Sequence, residues 1–109
     1  MQLPELPDDP SLLKRVLIPL LDDFLFWYAH AEELLAGDRL PFLAPEEQDA
    51  LLERVRTARA EVRSATALCD ATGLGIDTAA VGSWHQLVVE CWQVAARKRR
   101  ETQAGEAAE

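Results

Sequence analysis

Apolar residues recur at the three-to-four-residue spacing of an α-helix along almost the whole chain. Only two short segments, residues 38–44 and 73–83, interrupt that rhythm with turn-forming residues. No stretch of four or more residues alternates apolar and polar side chains between turn signals, so nothing reads as a half-buried strand. Two interruptions in a helical pattern leave three helices. The expected fold is all-α, an antiparallel three-helix bundle with long helices, forming one domain over residues 1–109 with residues 1–10 and 102–109 flexible. A chain of this length buries roughly 60 to 70% of its unfolded surface and needs no disulfide or metal to hold a core.

The first helix is expected to begin after Ser11, whose hydroxyl would cap the opening amides, and to stop near Ala36 before Gly37. Pro19 falls inside it. Proline lacks an amide donor and its ring crowds the carbonyl four residues earlier, so a kink or a break is expected near Leu17 to Pro19. Pro45 suits a first helical position, and Glu46, Glu47 and Asp49 place acids where the helix dipole favours them. A second helix therefore runs from Pro45 to about Ala71, with Ala44 a poor cap and an inward stripe of Leu51, Leu52, Val55, Ala58, Val62, Ala65 and Cys69. Residues 73–83 hold three of the 5 glycines and read as a turn. After them, Ser83 and Gln86 match the S-x-x-Q capping box, which predicts a third helix starting at Trp84 and closed by Arg97 to Arg100, with a frayed tail from Thr102.

Charge narrows the partners. The net charge is -8, which gives no long-range attraction to nucleic acid or to an anionic membrane. The most apolar stretch, Leu12 to Tyr28, contains Lys14, Arg15, Pro19, Asp22 and Asp23, whereas a membrane span needs about 20 nearly uncharged residues. The opening ten residues carry prolines and acids where a secretion signal would carry bases and then an apolar run, so a cytoplasmic location is expected. Cys69 and Cys91 both lie on helical apolar patterns and read as buried, reduced thiols.

No spacing of reactive residues identifies a reaction. There is no Gly-rich phosphate loop, no CxxC and no G-x-S-x-G, so the chain reads as a non-enzyme without a cofactor. The two histidines, His30 and His85, are preceded three residues earlier by Trp27 and Gly82, which rules out the Glu-x-x-His pairs of a di-iron bundle. A small ligand-, pigment- or metal-binding bundle using His30, His85 or Cys91 stays as the alternative.

The first helix is more informative. Twelve apolar residues among the 17 from Leu12 to Tyr28 cover most of its circumference, where a bundle helix needs only a stripe. That surplus, with Phe26, Trp27 and Tyr28 on the first helix and Trp84, His85 and Trp92 on the third, marks a candidate protein interface. Charge is also split. Residues 1–53 carry 12 acids against 3 bases and residues 54–109 carry 7 against 8. Arg56, Arg59 and Arg63 recur at helical spacing as a basic stripe, either paired with acids of the first helix or available to an acidic partner. The expected assembly is a homodimer, with contact to a different protein as the other option.

The run Ser83-Trp84-His85-Gln86-Leu87-Val88-Val89-Glu90-Cys91-Trp92-Gln93-Val94-Ala95, with Leu20-Leu21-Asp22-Asp23-Phe24 and Pro45-Glu46-Glu47-Gln48, resembles a family of short cyanobacterial proteins that form a domain of unknown function. The resemblance extends over about residues 11 to 97. It implies a stand-alone protein of a photosynthetic bacterium, with no activity or catalytic residues to carry over. Ala44 departs from the Ser or Thr expected ahead of Pro45. The functional reading at this stage is a non-enzymatic helical interaction, assembly or regulatory factor.

Overall fold

Three helices account for the architecture of the computed structural model, which describes the backbone of residues 10–72 and 76–108 and the side chains of residues 14–72 and 76–105. They are α1 (Pro10–Ala36), α2 (Pro45–Thr72) and α3 (Thr78–Ala108), and no strand occurs among the described residues. The all-α expectation holds. The flexibility expected of residues 1–9, and the role of Gly73 and Gly75 in the second turn, lie outside the described residues.

α1 is the central element. Leu17, Leu21, Phe24, Tyr28, Ala31 and Leu35 are all buried and follow one another at three- and four-residue steps, forming a continuous stripe. α2 lies along that stripe with Leu51, Val55, Ala58 and Val62 buried, and α3 contributes Trp84, Leu87, Val88 and Cys91. The stripe expected for α2 is thus correct, with Leu52 and Ala65 at its half-buried edge. Leu17 and Cys69 close a smaller cluster towards the far end of α1 and α2.

α1 passes through Pro19 as one helix, so of the two outcomes expected there a break is excluded. It starts at Pro10, which puts Ser11 inside the first turn and not ahead of it as the capping residue. The connection to α2 is fixed by a buried amide. Gln48 Oε1 accepts the Leu40 amide hydrogen at 2.9 Å, and its Nε2 donates to the carbonyls of Leu35 at 2.9 Å and Asp38 at 3.2 Å. One side chain therefore satisfies the end of α1 and the turn after it, and its 1% exposure carries no penalty because every polar atom is partnered. Ala44 offers no capping side chain, but Glu47 reaches back to accept from the Ala44 amide at 3.4 Å, the returning half of a capping box.

The start of α3 differs from expectation. The helix begins at Thr78, and Asp77 is its cap, with Oδ1 accepting the Ala79 amide hydrogen at 3.0 Å. Ser83 is an interior residue of that helix, so the proposed Ser83–Gln86 capping box is not its N-terminus. The glycine at 82 misled the sequence reading, because one glycine within a helix costs only about 1 kcal/mol and packing overrides it. α3 also runs past the basic cluster expected to close it, reaching Ala108. With a radius of gyration of 17.2 Å and extents of 57 × 31 × 19 Å, the molecule is far more elongated than the roughly 13 Å radius of a compact domain of this size.

Candidate functional site

Because the buried stripe of α1 faces the core, the residues flanking it on the α3 side stay at the surface. Phe26 is 55% exposed, Trp27 37% and, on α3, Trp92 40%. These rings touch. Trp27 meets Trp92 edge-on at 5.5 Å between centroids, Phe26 meets Trp27 edge-on at 5.1 Å, and Phe26 meets His30 edge-on at 4.5 Å. Trp92 contacts His85 at 6.4 Å, and His85 contacts Phe24 at 6.4 Å. Both histidines therefore belong to one aromatic face that bridges α1 and α3. Edge-to-face pairs of this kind are worth about 0.5–1.5 kcal/mol each beyond their buried area. They hold the exposed rings in place.

A groove of about 280 Å³ runs between the two helices, walled by Trp27, His30 and Leu34 on one side and Trp92, Ala95 and Arg99 on the other, with the buried Ala31 and Cys91 between them. Cys91 is 5% exposed, and burial pushes its thiol up to about 11, so at neutral pH it is protonated and a poor nucleophile. Both cysteines are free and buried. Among the described residues no three His, Cys, Asp or Glu side chains gather closely enough to hold a metal ion.

Two of the aromatic residues expected on this surface are in the core. Tyr28 has no exposed surface, and its hydroxyl donates to the Trp84 carbonyl oxygen at 2.6 Å, tying α1 to α3 from within. Burial, with Cys91 and Glu61 nearby, raises the phenol well above its ordinary value, so it remains a neutral donor. Trp84 is 7% exposed and its indole N–H points to Glu61 at 3.4 Å. The reason for the misplacement is register. Tyr28 is four residues after Phe24 and seven after Leu21, on the buried stripe, while Phe26 and Trp27 fall beside it.

The basic stripe of α2 is largely consumed inside the subunit. Arg59 donates to Glu32 at 2.6 Å and Arg56 to the other oxygen of the same carboxylate at 3.3 Å. The Arg59 hydrogen bond is the main force that holds the Glu32 carboxyl below its usual value, opposed by partial burial. Of the three arginines, Arg63 lies furthest along α2 and is exposed. Arg54, not singled out from sequence, bridges α2 to Glu90 of α3 at 2.6 Å. Gln48 and Arg99 were also missed. A polar residue three positions before Leu51 on an apolar stripe was the available signal for Gln48, whereas Arg99 looked like one of four interchangeable bases.

The family model of a protein of unknown function, DUF2605, matches residues 7–100. The chain belongs to this family. A family of unknown function, as the resemblance implied, is therefore the correct class, and the match spans all three helices apart from the last turns of α3. No curated protein and no solved structure matches the chain. No described helix is long and apolar enough to cross a membrane.

Proposed function

We propose that this DUF2605 protein is a non-enzymatic helical interaction module, whose working surface is the aromatic face of α1 and α3. The observation that supports it is the contiguous set of exposed rings, Phe26, Trp27 and Trp92, locked edge to edge across two helices. Aromatic side chains bring large apolar area with few rotatable bonds, and they dominate the energetic centres of protein interfaces. A face already fixed by intramolecular contacts loses little further entropy on docking. The thiol that lines the groove is protonated, and the groove, at about 280 Å³, lies at the lower edge of the roughly 300–1,000 Å³ of typical ligand pockets. In this reading the protein acts as an assembly or regulatory factor in the cytoplasm, and a photosynthetic bacterium is the host that the resemblance implies.

The test compares the proteins co-purifying with a tagged wild-type chain and with a Trp27→Lys/Trp92→Lys variant. Ala60→Lys, on the exposed side of α2, serves as the control. Circular dichroism establishes that each variant is folded. Partners, including a second copy, that are lost from the α1/α3 variant and kept by the control support the reading. Identical sets from all three chains would refute it, as would an absorbing or metal-bearing ligand lost on His30→Ala or His85→Ala, since that outcome belongs to a ligand-binding bundle.

A further inference from the structure

We infer that the occupant of the α1/α3 face is a second copy of this chain, docked antiparallel about a two-fold axis that passes close to Trp92; the inference rests on the interaction reading above. α1 and α3 run in the same direction along this face. Phe24 lies against His85, Trp27 against Trp92, and Leu34 shares the groove with Arg99. The face therefore has two distinct ends. Asp23 precedes Phe26 and Trp27 by three and four residues, which places it on their side of α1 at the first end, and it is exposed. Arg99 is exposed at the other end, on the wall of the groove.

Among the described residues neither Asp23 nor Arg99 has an ion-pair partner within the subunit, whereas Arg54, Arg56 and Arg59 all do. The strip is thus an acid, an aromatic centre and a base in line. Asp23 is four residues before Trp27, about 6 Å along α1, and Arg99 seven residues after Trp92, about 10 Å along α3, so the two charges flank the aromatic centre on opposite sides. Such a strip complements itself in only one sense. Rotation by 180° about an axis through its centre lays Asp23 of each copy opposite Arg99 of the other and stacks the tryptophans between them. Parallel docking would set Asp23 against Asp23 and Arg99 against Arg99. Two-fold interfaces are isologous, so the favourable Asp23–Arg99 pairing occurs twice, while the parallel arrangement would hold one acid–acid and one base–base repulsion. Of the two roles expected for the basic stripe, pairing with the first helix holds for Arg56 and Arg59, because Glu32 of the same chain engages both, so the stripe does not supply the contact between copies.

The experiment is a charge reversal read by sedimentation equilibrium of the full chain from 5 to about 200 µM, with circular dichroism as the check on folding. The wild type is expected to approach twice its 12.1 kDa mass. Asp23→Arg and Arg99→Asp each convert two attractions into two repulsions and are expected to raise the dimer Kd at least tenfold. The double variant Asp23→Arg/Arg99→Asp restores opposite charges across the axis, and its Kd is expected to return to within about threefold of wild type. A wild type that stays monomeric at the highest concentration overturns the inference. So does a dimer that neither single reversal weakens, or whose double variant is as weak as the singles. If the wild type is monomeric while Trp27→Lys/Trp92→Lys still sheds a different co-purifying protein, the inference fails and the interaction reading stands; if that variant sheds nothing, both fail.

Discussion

The two sides of α1 are built differently. Against α2, α1 presents a fully buried stripe, a polar clamp at Gln48 and a shared carboxylate at Glu32 that engages two arginines. Against α3, the contact is a shorter buried cluster and one internal hydrogen bond from Tyr28, and the flank outside them is left as exposed aromatic rings. Between α2 and α3 the Arg54–Glu90 pair spans the space between two open grooves of about 430 and 460 Å³. The difference makes α1–α2 the pair tied by more polar contacts, and leaves the α1/α3 flank as the side with exposed aromatic surface. A helix packed on one partner through a narrow contact keeps more of its circumference for something else.

The largest effect that should separate the two sides is at Gln48. Replacing it with Leu leaves the Leu40 amide and the carbonyls ending α1 buried without partners, and the expected loss is about 3 kcal/mol in urea unfolding. A loss below about 1 kcal/mol would mean the hairpin is held by apolar burial alone. On the α3 side, Tyr28→Phe deletes one buried hydrogen bond while Trp84 keeps its helical one, so about 1 kcal/mol is expected by the same measurement. An equal or larger cost than at Gln48 would erase the proposed asymmetry.

Smaller changes test how α3 is anchored. Asp77→Ala should cost about 1 kcal/mol as the loss of a cap, while Ser83→Ala should change stability by only a few tenths, and the reverse order would restore Ser83 as the helix start. Gly82→Ala should stabilise by nearly 1 kcal/mol, since an added Cβ would meet nothing within 4 Å, and thermal unfolding reads it directly. The smallest expected effect is electrostatic. Glu32 is held below its ordinary value of 4.5 by the Arg59 hydrogen bond, so its contribution is present above that pH and lost as pH falls through the lowered folded value. With partners partly exposed it amounts to about 0.5 kcal/mol at neutral pH. Glu32→Gln should lower stability by that amount at pH 7 and by progressively less below pH 4.5. An unchanged pH profile would show that the pairs contribute nothing.

The face on α1 and α3 was half legible in the chain. Phe26, Trp27, His85 and Trp92 could be marked because they add apolar or aromatic area beyond what a bundle helix can bury, and the structure brings these four into one network with His30. Tyr28 and Trp84 could not be told from them by composition. Which side of a nearly all-apolar helix faces inward depends on a register of 100° per residue and on where the neighbouring helix lies.

What the sequence by itself determined was the number of helices, the end of α1, the start and inner stripe of α2, and the absence of a membrane-spanning stretch. Each is set by local spacing, by proline and glycine, or by charge within one segment. The start of α3 escaped that reasoning because two caps with good residues lay six positions apart, Asp77 and Ser83, and only the half-burial of Ile76, Ala80 and Val81 against the core favours the earlier one. The tertiary structure alone decided that Gln48 fastens the first turn, that Glu32 engages Arg56 and Arg59 of the basic stripe, and that Asp23 and Arg99 end the aromatic strip without an ion-pair partner among the described residues. These are relations between residues 8 to 76 positions apart, and only packing of the buried stripes brings such distant groups together, so no local pattern in the chain records them.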